Sequence, residues 1–163
     1  MERMPRPFRY YLRVRYGECD AQKVVFNARY GDYIDIAVTE FFKAIGYGEA
    51  LANGEFDFQL VKQTIEWKAP ARHDQVLEIA VACTRLGNTS FTIGFEMRMA
   101  GDPRAIVTAE TVYVLVDGHS LQKTPLPDAL REALQRGAPD AVTDHAGYLP
   151  RAFPKPGPFD PQL

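Results

Sequence analysis

An antiparallel sheet wrapped around one long helix, an α+β fold, is predicted by three features of this 163-residue chain. The stretch from Ala28 to Ile45 carries its apolar residues at helical spacing. Four later segments, between Phe58 and Val116, are rich in β-branched and aromatic residues. Short polar turns join most of these segments, which favours antiparallel pairing over long crossovers.

Each element has its own signal. Phe8 to Tyr16 reads as a strand, and Gly17 to Phe26 as a loop. In the helix, Tyr30, Tyr33, Ile34, Ala37, Val38, Phe41 and Ile45 form one apolar stripe. Asn27 suits its N-cap, Lys43 the negative end of its dipole, and Gly46 its stop. The strands then run Phe58 to Lys68, Gln75 to Leu86, Thr89 to Met99 and Arg104 to Val116, a meander by order. The third alternates cleanly, with Phe91, Ile93, Phe95, Met97 and Met99 on one face. Turns are expected at Gly87-Asn88, Gly101-Asp102-Pro103 and Asp117-Gly118, and a short helix over Asp128 to Arg136. Ala138 to Leu163 holds six of the twelve prolines and has no period. The expected division is a domain over residues 1–137 and a proline-rich tail over 138–163, lying on the surface or on a neighbouring subunit.

Composition narrows the function. A net charge of −2 supplies no basic field for nucleic acid. Arg3, Arg6, Arg9, Arg13 and Arg15 read as a solvated basic face. Cys19 and Cys83 form no CxxC, and the N-terminus has no apolar signal segment, so a reducing, cytoplasmic setting is expected. No run of about 18 apolar residues exists, so no membrane span is expected. His73, His119 and His145 are scattered without metal-ligand spacing. Neither a GxSxG elbow nor a glycine-rich phosphate loop occurs. The expectation is therefore no metal and no bound cofactor.

The stretch from Tyr16 to Tyr30, YGECDAQKVVFNARY, carries the chemistry. Asp20 sits in a polar loop, and Asn27 opens the helix seven positions later. A carboxylate is thus aimed at free backbone N–H groups at the positive end of a helix. A base beside an oxyanion hole suits hydrolysis of an activated acyl group. Pattern alone leaves Asp20 as either a turn-forming carboxylate, the commoner use, or a base. It leaves Asn27 as either a cap or a catalytic group. Glu18 reads as structural, and Ser90 as either a turn residue or a channel wall.

This stretch and the element order resemble the hotdog-fold acyl-CoA thioesterases of the 4-hydroxybenzoyl-CoA thioesterase family, over about residues 8–136. Glu18, Cys19 and Asp20 match the family's acidic residue, spacer and catalytic aspartate. Val24 and Val25 match its valine-rich stretch, and Asn27, Ala28 and Tyr30 the residues at the head of its helix. Asp35, Thr39 and Glu40 fit common helix positions. Gly87 to Phe91, and Lys123-Thr124-Pro125, resemble later family segments. Gln22 and Lys23 stand where the family usually has glycine, and Val38 where it often has arginine. Gly87, Asn88 and Thr89 lack the charge that some members use on coenzyme A phosphates.

The resemblance implies a hotdog fold and hydrolysis of acyl-CoA to free acid and coenzyme A. Asp20 would be general base or nucleophile. Backbone N–H groups near Asn27 and Ala28 would hold the oxyanion, the Asn27 side chain would cap the helix, orient water or touch the thioester, and Ala28 and Ser90 would touch substrate. It implies a site between subunits, hence a homodimer or homotetramer, with Arg85, Arg98 and Lys123 as candidates near the nucleotide. An acyl-carrier-protein thioesterase and a non-catalytic acyl-CoA-binding module remain alternatives, although a binder has no need of Asp20. A hotdog dehydratase is disfavoured, because no histidine lies near the helix start.

Overall fold

The computed structural model describes residues 3–150. The expected stripe becomes the buried face of α1 (Arg29–Ala44), where Tyr30, Tyr33, Ile34, Ala37, Val38, Phe41 and Phe42 are all buried. This face lies against a six-stranded sheet of β1 (Phe8–Arg13), β2 (Asp57–Trp67), β3 (Val76–Leu86), β4 (Ser90–Met99), β5 (Ala105–Val116) and β6 (Val142–Asp144). Leu77, Ile79 and Val81 of β3 and Phe91, Ile93, Phe95 and Met97 of β4 complete the core. Alternation in β4 thus marks burial, as expected. The Phe42 ring lies 5.1 Å from that of Phe56, 5.0 Å from Phe58 and 6.0 Å from Phe91. Among the described residues, no helix is long and apolar enough to cross a membrane.

Gly46 ends the helix with φ 96°, a left-handed conformation that favours glycine. The helix start differs from expectation. Ala28, already helical, stands at the boundary, and no side chain caps it. The first-turn N–H groups of Arg29 and Tyr30 bond instead to the carbonyls of Phe26 and Asn27, at 2.8 and 3.4 Å. Asn27 is therefore not a side-chain cap.

The strands do not form one meander. The sheet order is β2-β5-β4-β3-β1-β6, with consecutive hairpins from β3 to β5. Between β1 and β2 the chain passes through α1, so β2 enters at the far edge and pairs antiparallel with β5. Period-two alternation tells which face a residue takes, not which strand lies beside it. β2 carries half-exposed Leu60, Val61 and Trp67 at 51%, 57% and 51%.

Two elements had no sequence signal. Helix α2 (Gly48–Asn53) buries no residue, so it has no stripe. β6 has three residues, too few for a period, and pairs parallel with β1. Main-chain bonds from Arg9 N–H to the Ala141 carbonyl (3.1 Å) and from His145 N–H to the Tyr11 carbonyl (3.0 Å) hold it. The start of the proline-rich segment is thus part of the sheet, while residues 151–163 lie outside the described residues. The second expected helix, α3, spans Asp128–Arg136.

Candidate active site

The loop between β1 and α1 is closed by its own backbone. Cys19 bridges to Val25, and Val24 to Arg72. The Asp20 N–H donates to the Val24 carbonyl at 2.9 Å, and the Lys23 N–H to the Asp20 carbonyl at 2.9 Å. Asp20 Oδ1 accepts the Gln22 N–H at 2.8 Å. Lys23 has φ 63°, the left-handed conformation that a glycine would supply more easily. The loop keeps its turn, and a lysine carries the strain, at a cost of about 1 kcal/mol.

At the other end of the loop, the Val25 N–H donates to the Ala71 carbonyl and the Phe26 N–H to the Glu18 carbonyl, at 2.8 and 2.9 Å. Among the described residues, the N–H groups of Asn27 and Ala28 have no backbone acceptor. They lie at the start of α1, where the helix dipole favours negative charge.

Asp20 and Asn27 line one cleft of about 550 Å³. Val24, Val25 and Phe26 line it from the loop, Tyr30 from α1, Trp67 from the end of β2, and Lys68, Ala69 and Pro70 from the residues just after it. The Tyr30 and Trp67 rings meet edge to face at 6.4 Å. Burial pushes the Tyr30 hydroxyl above its ordinary value, so it is a neutral wall at pH 7. A half-buried carboxylate, free N–H groups and apolar walls are the parts needed to hold and attack a carbonyl.

Glu18 points elsewhere. The residue is only 6% exposed. Its carboxylate accepts the Arg15 N–H at 2.7 Å, the Arg15 guanidinium at 2.8 and 3.2 Å, and the Tyr33 hydroxyl at 3.0 Å. Burial alone would raise its pKa, but Arg15 and Tyr33 together hold it below the usual carboxylate value. Burial and the same contact raise the Tyr33 hydroxyl, which stays protonated and donates.

The structure brings Asp20 and Asn27 together, but neither Ala28 nor Ser90 lines the cleft. Ala28 is exposed at the helix start. Ser90 pairs with Val114, whereas Trp67 pairs with Val107, so they lie seven residues apart along β5. At the rise of a strand that is about 23 Å. Arg85, paired with Thr92, and Lys123, bridged to Val116, lie toward that same far end. Arg98 is paired with Glu96 and Glu78. The basic residue on the cleft is Lys68, which sequence reasoning passes over together with Trp67. Trp67 carries one signal: it is the chain's single tryptophan, placed shortly before Pro70.

Residues 14–134 match the thioesterase-like superfamily. Over 125 residues the chain is 32% identical to the acyl-CoA thioester hydrolase YbgC of Escherichia coli, covering 76% of this chain and 92% of that protein. The solved structure of a gentisyl-coenzyme A thioesterase superposes with a TM-score of 0.68 at 25% identity, over 77% of this chain and 98% of that one. A 4-hydroxybenzoyl CoA thioesterase mutant, solved with 4-hydroxybenzoyl CoA, superposes with a TM-score of 0.70 over 78% of this chain and 97% of that one. It is 19% identical, so its likeness shows the fold alone. The chain belongs to the thioesterase-like superfamily and has the hotdog fold.

Proposed function

We propose that the protein hydrolyses acyl-coenzyme A thioesters to the free carboxylic acid and coenzyme A. The observation that carries this is the shared cleft of Asp20 and the helix start, where the Asn27 and Ala28 N–H groups have no backbone acceptor among the described residues. YbgC, a 32% identical relative, bears the name of this activity. The two cysteines, both free, suit a reducing, cytoplasmic setting for it.

The thioester carbonyl enters with its oxygen toward the start of α1, where Asn27 lines the cleft and the Ala28 N–H follows it in sequence. Asp20 takes a proton from water as the water oxygen bonds to the carbonyl carbon. The C=O electron pair moves onto oxygen, where the N–H groups stabilise it. Losing one such donor typically costs about 3 kcal/mol. The pair then returns and expels the coenzyme A thiolate, which takes up the proton. Direct attack by Asp20, giving a mixed anhydride that water cleaves, uses the same geometry. In one turnover in ¹⁸O-water, label in the Asp20 carboxylate identifies the anhydride route, because general-base attack by water cannot put it there.

The working unit is a homodimer formed along β2. This strand ends the sheet and exposes Leu60, Val61 and Trp67. An edge of that kind pairs readily with a second copy. Trp67 belongs to both the edge and the cleft, so the partner would help to close the site. Sedimentation equilibrium tests this, and a monomer at assay concentration contradicts it.

Activity is tested by free-thiol release from short, long and aromatic acyl-CoAs and from acyl-carrier-protein thioesters. Turnover with the highest kcat/KM on a coenzyme A ester supports the proposal and names the acyl class. Preference for the carrier protein, or no thiol release from any substrate, contradicts it.

A further inference from the structure

We infer that Glu18 is a positioning residue: it fixes Asp20 relative to the oxyanion donors through Arg15 and Tyr33, without touching substrate. This rests on the hydrolytic role proposed above. The carboxylate faces a separate hollow of about 410 Å³, also lined by Arg15 and Tyr33, and is not among the residues lining the catalytic cleft.

Its bonds join the parts whose spacing matters. The Tyr33 hydroxyl brings in α1, one turn beyond Tyr30. Arg15 brings in the end of the β1 segment through its main chain and guanidinium. The Glu18 carbonyl holds the Phe26 N–H at 2.9 Å, directly before Asn27. Asp20 stands two residues beyond Glu18. The base and the oxyanion donors are therefore tethered through one residue.

Stability alone does not call for a carboxylate here. A buried ionic group is often replaced by a well-packed apolar one without loss. An apolar side chain fills the space but fixes no direction. Four directed bonds do. Misplacing a catalytic group by about 1 Å can cost about 100-fold in rate.

The test uses Tyr33→Phe and the near-isosteric Glu18→Gln in the full chain, alone and combined with Asp20→Asn. Circular dichroism and melting verify folding. The expected result is a fall in kcat of roughly 10- to 100-fold with KM within about twofold. In the Asp20→Asn background, Tyr33→Phe should cause no further loss, because its effect passes through Asp20. Full kcat in a folded Tyr33→Phe or Glu18→Gln protein, while Asp20→Asn is inactive, overturns the positioning role alone. An equal further loss in the Asp20→Asn background also overturns it. Full activity of Asp20→Asn overturns the hydrolytic mechanism and the positioning role together.

Discussion

The two sides of the loop before α1 treat polar groups in opposite ways. On the Glu18 side, the buried carboxylate is fully engaged by Arg15 and Tyr33. On the Asp20 side, the Asn27 and Ala28 N–H groups lack backbone acceptors among the described residues. A satisfied network fixes geometry, while unused donors beside a cleft are available to a ligand. The difference separates scaffold from site within ten residues of sequence.

Both sides hang on the same helix, so loosening its packing should disturb both. Phe42, on the inner face of α1, is fully buried. Phe42→Ala should cost about 3–5 kcal/mol, read from chemical denaturation. A cost below about 1 kcal/mol would show that the helix is not anchored there.

Trp67→Ala should act on the Asp20 side only. We expect KM to rise roughly tenfold, with kcat nearly unchanged, for loss of an aromatic wall. A selective fall in kcat would instead tie Trp67 to the chemistry.

Acid should release the Glu18 side. Its carboxyl is held below the ordinary 4.5, so its stabilisation is present above that value. The stabilisation is lost as pH falls through the lower folded pKa. Melting temperature from pH 6 to 3 should therefore fall more steeply in the wild type than in Glu18→Gln, at roughly pH 4.5 and below. Parallel curves would mean that Glu18 gains nothing from its partners.

The smallest effect is expected at Lys23, whose φ is 63°. Lys23→Gly relieves strain but adds unfolded-state entropy, so stability should change by less than about 1 kcal/mol and activity should persist. Loss of activity would give the lysine side chain a role of its own.

What the sequence reveals varies with the kind of information. The α1 stripe and the alternation of β4 are readable because burial imposes a period on them. The start of α3 is readable from Pro125 and Pro127, which precede it. The placement of β2 beside β5 is not, because alternation does not encode strand neighbours. Helix α2 and strand β6 are not, being too exposed or too short for a pattern. Asp20 and Asn27 stand out as a pair through spacing and family likeness. Trp67 and Lys68 do not, since nothing in a strand's own sequence says which loop its end will face. The turn at Lys23 is masked because glycine is its usual sign.

Whether Asp20 performs chemistry rather than binding is read most directly by two paired experiments. They are calorimetric binding of an acyl-CoA substrate and its single-turnover hydrolysis, each for the wild type and for folded Asp20→Asn. A catalytic Asp20 predicts binding within a few-fold, and hydrolysis slowed by about 100-fold or more, or about 2.7 kcal/mol of barrier. Equal hydrolysis by the two proteins, or lost binding with the chemical step intact, would contradict that role.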